Sequence, residues 1–259
     1  MKKRIISAVI ILIVTISSLL VSKDVFGIYL FISAILAMKE VLATRESKKK
    51  LEFISFISYV ITSLLVTNKW LFNFNLVSLI ILDLILFFTP IIFYNNDEKY
   101  NIMDACYLIG MTLLIGISLN GLLLFRIENI FLALLVYVVC YITDTYAYIG
   151  GSLIGKHKLT SISPKKTWEG SIIATVVGSF ITTLYLLAFL KQSNILLCII
   201  ISIFLTIVCQ FGDLIFSSIK RHFKIKDFSN LIPGHGGMLD RLDSIIFVSL
   251  MLIILSSLI

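Results

Sequence analysis

The sequence predicts an all-α, polytopic integral membrane protein of nine transmembrane helices with a cytoplasmic N-terminus. Three observations carry that reading. Of the 259 residues, 59% are apolar and only 14% charged, with a mean hydropathy of +1.04. A soluble chain is nearer about 25% charged, because its surface must face water. The apolar residues fall into runs of bilayer length, and the remaining charges, 22 Lys and Arg against 15 Asp and Glu, concentrate on alternate loops. A soluble enzyme, a disordered chain and a coiled coil are excluded.

A helix crosses a bilayer with about 20 predominantly apolar residues. The first such run, 4–22, follows MKKR; it is longer than a signal-peptide core and has no small-residue cleavage site, so it is kept as a membrane helix. The second is 27–44 and the third, 51–67, is the shortest. Next come 71–93, which carries Asp83 at mid-span, then 104–124 and 127–149, the last ending near Asp144. The final three are 171–190, 194–216, which holds Asp213, and 241–259, opened by Asp240 and Asp243. With the N-terminus inside, the inside segments hold 17 Lys and Arg, and the outside segments only Lys23, Lys69, Arg126 and Lys191. This is the positive-inside pattern. Without repeats or a soluble appendage, one integral domain is expected over 1–259, with N-terminal helices in 1–126 and C-terminal helices in 127–259. Cys106, Cys140, Cys198 and Cys209 lie in apolar stretches without a CxxC pair or a zinc-spaced His, and read as small buried hydrophobes.

Two loops are long, 150–170 and 217–240, both on the inside, and they hold all three histidines with Pro164 and Pro233. Long punctuated loops in a compact chain are usually functional. In the second, Asp213, Asp240 and Asp243 come to one membrane level beside Lys220, Arg221, Lys224, Lys226 and Arg241. Carboxylates at membrane depth are costly and mark paired or functional sites. Oxygen ligands beside a basic lining suit a magnesium-dependent phosphoryl site. Asp240 and Asp243 would equally serve to cap the ninth helix and pair with neighbouring cations. Pro233-Gly234-His235-Gly236-Gly237 permits positive φ and close backbone approach to an anion, or is simply a connector.

In the first loop, Asp144 and Tyr148 stand one helical turn apart, and Ser163-Pro164-Lys165-Lys166-Thr167 offers two cations and two hydroxyls for a polyphosphate. Glu169 and Gly170 lead into the seventh run. Gly150 to Lys156 fits GxxxxGK, but His157 follows and the context is a membrane helix, so it is not a P-loop. Asp83 stays open between a paired structural carboxylate and a functional one.

These residues resemble the phosphatidate cytidylyltransferase (CDP-diglyceride synthase) family. The shared pattern reads Ser217-x-Ile219-Lys220-Arg221, Lys226-Asp227, then Pro233-x-His235-Gly236-Gly237-Met238-x-Asp240-Arg241-Leu242-Asp243, without departure. DTYAY and SPKKTWEG upstream are similar too, so the likeness covers about 40% of the chain, Tyr141 to Asp243. The resemblance implies transfer of CMP from CTP to phosphatidate, giving CDP-diacylglycerol and pyrophosphate, with Mg2+ as cofactor and room for a second cation such as K+.

On that basis Asp213 and Asp240 are assigned to Mg2+, with Asp243 and Asp144 as further candidates. Lys220, Arg221, Lys226 and Arg241 would neutralise phosphates. Ser163, Lys165, Lys166 and Thr167 would hold the nucleotide, joined by Ser217, Gly236 and Gly237, and His235 would donate a hydrogen bond or organise the turn. The expected partners are CTP and phosphatidate of the cytoplasmic leaflet of the cell membrane, not nucleic acid, and a homodimer is allowed. The rival readings are a sister CTP-dependent enzyme on another lipid phosphate or a polyprenol-type lipid kinase. From another class, a transporter or an anionic-lipid-binding protein is the alternative. Transporter sites lie near the midplane rather than in loops, and lipid binding needs only the lysines.

Overall fold

The computed structural model describes residues 2–45, 52–94, 100–232, 234 and 236–258, and side chains from Ser7 onward apart from Ala8. It is all-helical among the described residues. Nine helices follow in order: α1 (Lys2–Val21), α2 (Lys23–Thr44), α3 (Glu52–Thr67), α4 (Leu76–Phe93), α5 (Ile102–Glu128), α6 (Ile130–Ile154), α7 (Trp168–Phe189), α8 (Ile195–His222) and α9 (Leu239–Leu255). Seven of them, α2 and α4 to α9, are long and apolar enough to cross a membrane. Among the described residues α3, Glu52–Thr67, is shorter, and α1 contributes the stretch Val9–Val21 of its 20 residues. Sixteen residues of α3 rise only about 24 Å against a hydrocarbon core of about 30 Å. The third run is thus as short as its sequence suggests.

Several boundaries differ from the apolar runs. The run expected at 71–93 begins as helix only at Leu76, with Asn75 as N-cap accepting from Val77 N. Residues 68–74 instead form a compact loop, because Asn68 exchanges hydrogen bonds with both the N–H and the C=O of Phe74. Asn120 of α5 donates to the carbonyls of Val66 and Asn68, satisfying the end of α3. Conversely, α6 runs on to Ile154 and α8 to His222, past the spans expected to end at 149 and 216. In α8 the overrun is favourable, since Lys220, Arg221 and His222 occupy the last turn, where cations meet the negative end of the helix dipole. The long loops are therefore shorter than expected. Ser217, Lys220 and Arg221 are helical.

The chain divides into two compact units, Met1–Leu124 with Asp227–Asp240, and Phe125–Lys226 with Arg241–Ile259. In the first, α3 buries Ile54, Ile57, Ile61 and Leu65, a 3–4 spacing that defines one helical face. Gly116 of α5 sits where a Cβ would meet the Leu65 side chain at 2.6 Å, so the two helices pack in close approach. Asp83 is fully buried; Thr112 donates to its Oδ1 at 3.0 Å. In the second unit, α6, α7 and α8 pack together. Gly178 of α7 lies against Thr143 of α6 and Thr206 of α8, the small-residue contact that lets membrane helices approach.

Candidate active site

In the second unit the loop between α6 and α7 is a built structure. Leu159 N donates to Lys166 O (2.8 Å), Lys166 N to Ser163 O (3.0 Å) and Trp168 N to His157 O (3.0 Å). Glu169, in the first turn of α7, clasps its base by accepting from Lys156 N at 3.1 Å and His157 Nδ1 at 2.6 Å. Thr167 is the N-cap of α7, accepting from Gly170 N. Gly170 is required by contact, because a Cβ there would meet the Ala147 carbonyl of α6 at 2.6 Å. Gly150 and Gly151 lie in α6 and Gly155 is its C-cap, so the GxxxxGK string forms no phosphate loop.

This arrangement encloses a cavity of about 280 Å3. Asp144, Ala147 and Tyr148 line it from α6, and Leu159, Ser163, Lys165, Lys166 and Thr167 from the loop. Ser171 completes it from α7, and Gln210 and Asp213 from α8. Lys166 Nζ reaches Asp213 Oδ2 at 2.5 Å. Ser217, one turn further along α8, donates to Asp213 Oδ1 at 3.3 Å. Ser171 donates to Gln210 Oε1 at 2.5 Å, and Gln210 Nε2 donates to Thr175 Oγ1 at 2.9 Å, which fixes the amide orientation. At Gly212 the Asp243 carbonyl of α9 comes close enough that a Cβ would stand 2.9 Å from it. Asp243 thereby lies within electrostatic reach of Asp213, Asp144 and Lys220, and Arg241 within reach of Asp144. Acidic and basic groups interleave, which suits a cation bridging to phosphate oxygens. No cluster of three or more His, Cys, Asp and Glu side chains is placed to hold a metal among the described residues.

In the first unit, the described residues of 227–240 form a clasp. A bridge of Ile232 with Gly236 closes the glycine turn, and Gly234 and Gly236 take φ of 80° and 82°. Asp240 Oδ2 accepts from Phe228 N (2.9 Å) and Gly237 N (2.8 Å), so this carboxylate ties the first turn of α9 back to the chain that precedes it. Glu40 of α2 accepts from Ser229 Oγ, Met238 N and Leu239 N. The glycines do admit anions closely: a Cβ on Gly236 would meet the Asp240 carboxylate, and one on Gly237 the Glu40 carboxylate. Those anions belong to the protein itself.

The sequence-derived residues are thus divided between the two units. Asp144, Ser163, Lys165, Lys166, Thr167 and Asp213 share the cavity, with Ser217 attached and Asp243, Lys220 and Arg241 nearby. Arg221 turns to the carbonyls of Ile225 (3.0 Å) and Ile162 (3.5 Å), tying the first loop to the end of α8. Lys226 is exposed. Gly236, Gly237 and Asp240 stand in the glycine turn; His235 and Pro233 lie outside the described residues. Sequence reasoning passed over Gln210 and Glu40. Gln210 is three residues before Asp213 and shares its helix face. Glu40 carried the signal already used for the aspartates, a carboxylate inside an apolar run.

Comparison with known proteins gives the same direction. The model of the cytidylyltransferase family matches residues 2–259. A phosphatidate cytidylyltransferase of Staphylococcus haemolyticus is 34% identical over 255 residues, covering 96% of each chain. Its namesake in Staphylococcus saprophyticus is 36% identical over 258 residues, again 96% of each. That of Staphylococcus aureus is 34% identical over 257 residues with the same coverage.

Proposed function

The chain belongs to the cytidylyltransferase family, and from that membership we propose how its residues divide the work of moving CMP from CTP to phosphatidate. A phosphate oxygen of phosphatidate attacks the α-phosphorus of CTP. The bond from the α-phosphorus to the bridging oxygen breaks, and pyrophosphate leaves with that oxygen. The nucleophile is already ionised at neutral pH, so no general base is needed. Catalysis then rests on positioning and on neutralising charge.

The observation that carries this division is the cavity of the second unit, with Asp144 and Asp213 facing Lys165 and Lys166. Lys165, Lys166 and the hydroxyls of Ser163 and Thr167 would hold the triphosphate. Magnesium typically takes one or two carboxylates and completes its shell with water and substrate phosphates. Asp144 and Asp213 fit that demand without a third carboxylate, and Mg2+ held there would neutralise the charge that builds on the phosphates. Lys166, which pairs with Asp213, would then be free to turn to a phosphate. Asp240, whose Oδ2 is taken by two backbone N–H groups, serves better as organiser of the turn. The positive-inside pattern supports a cytoplasmic cavity, open to soluble CTP and to phosphatidate of that leaflet of the cell membrane.

The test is turnover of labelled CTP with phosphatidate by purified Asp144→Asn and Asp213→Asn variants across a Mg2+ titration. Asp213→Asn is expected to lose about 100-fold or more in kcat while remaining folded. Asp144→Asn is expected to need more Mg2+ for half-maximal rate. Wild-type rates at low Mg2+ in both would move the cation elsewhere.

A further inference from the structure

We propose that Glu40 is a positioning residue of the transfer reaction: from α2 it sets the conformation of the glycine turn and the start of α9, the helix on which Asp240, Arg241 and Asp243 follow. The proposal rests on the reading of the cavity that Arg241 and Asp243 adjoin as the site. Glu40 is 4% exposed, and an unpaired buried carboxylate in a membrane protein would be expensive. It is kept because three donors converge on it: Ser229 Oγ at 2.6 Å, Met238 N at 2.8 Å and Leu239 N at 2.8 Å. The two backbone donors lie 198 and 199 residues along the chain. They come from Met238, just before α9, and Leu239, its first residue, where N–H groups have no partner within the helix, and the positive end of that helix favours an anion.

Asp240 completes the clasp from inside, accepting from Gly237 N and Phe228 N. Two carboxylates, one from α2 and one from α9, therefore decide where α9 begins. Both neighbouring positions must be glycine, since a Cβ at either would strike one of the two carboxylates. A slip of the helix start would displace Arg241 and Asp243 together. An amide at position 40 keeps the shape but turns an N–H2 toward a backbone N–H in either orientation, leaving a buried donor unmatched.

The experiment uses the full-length purified enzyme and the variants Glu40→Gln, Ser229→Ala, their combination, and Asp240→Asn. Loss of one hydrogen bond to a charged group corresponds to roughly tenfold or more in kcat, so Glu40→Gln is expected to fall that far with both KM values within about threefold. Ser229→Ala should lose less, and the double variant should be no worse than Glu40→Gln, because both act through one clasp. Wild-type kcat in Glu40→Gln, or a rise in KM alone, overturns the proposal. If Glu40→Gln does not fold, Ser229→Ala decides: a lower kcat at unchanged KM supports it and wild-type kcat overturns it. Full activity in Asp240→Asn would show that the start of α9 does not bear on the reaction and overturn the proposal, whereas full activity in Asp213→Asn would take the premise with it; an inactive Asp240→Asn beside a fully active Glu40→Gln rejects Glu40 alone.

Discussion

Asp213 holds two partners at once, the ammonium of Lys166 and the hydroxyl of Ser217, and that pairing makes the role of each separable. Lys166 supplies charge to the cavity, so Lys166→Ala should raise KM for CTP more than KM for phosphatidate, as steady-state titration of each substrate would show. The opposite ranking would give the first loop to the lipid. Gly237 offers a second test of single-residue geometry. Its missing Cβ makes room for the Glu40 carboxylate, so Gly237→Ala must push the clasp apart although it changes no charge. An expected fall of about tenfold or more in kcat, with expression near wild type, separates a clasp from a connector that tolerates alanine. The need for glycine here was legible from the sequence. The anion it accommodates was not, because Glu40 stands so far upstream that no local spacing links the two.

The helices show where hydropathy reads well and where it stops. Apolar runs mark α2, α3 and α7 closely, because bilayer-facing residues must be apolar whatever the partner helix. They fail at ends, where capping and tertiary hydrogen bonds decide: Asn68 and Asn120 make a loop of an apolar stretch before α4. At α8 the helix closes at Lys224, φ 56°, with Lys224 N donating to Arg221 O and Ile225 N to Lys220 O. This is a Schellman stop built on lysine rather than glycine. Left-handed backbone costs an L-residue about 1–2 kcal/mol. Lys224→Gly should therefore raise the apparent melting temperature in detergent and leave turnover unchanged; a lower melting temperature would mean the lysine side chain earns its place by another contact. The first loop depends on its own clasp, Glu169. Glu169→Ala should speed amide hydrogen exchange at His157, which loses its acceptor, and raise KM for CTP. Unchanged exchange there would show that the loop holds its shape without the carboxylate.

For the whole molecule, composition alone determined the class, since 14% charge cannot cover a soluble surface of this length. Nine helices were expected and nine are seen among the described residues, although the sixteen residues of α3 fall short of the length that a straight crossing takes. Most of the candidate site was legible too. Asp144, Ser163, Lys165, Lys166, Thr167 and Asp213 were singled out as charged or hydroxyl groups beside membrane helices, and they line one cavity. The grouping of the carboxylates was not legible, because equal depth along separate helices says nothing of which helices pack side by side. Topology is open to a direct check: single cysteines at Lys158 and Lys191, in a background lacking the four native thiols, should label from the cytoplasmic and the opposite side respectively. Labelling of both from one side would contradict the alternation of charge.

The central claim is that the chain transfers CMP, rather than the terminal phosphate, to a lipid phosphate. The most direct measurement supplies purified protein with phosphatidate, Mg2+ and CTP labelled at either the α- or the γ-phosphate. The account expects α-label in the lipid product and γ-label in pyrophosphate, both abolished by EDTA. Label from the γ-phosphate appearing in the lipid, or no labelled lipid from either, would contradict it.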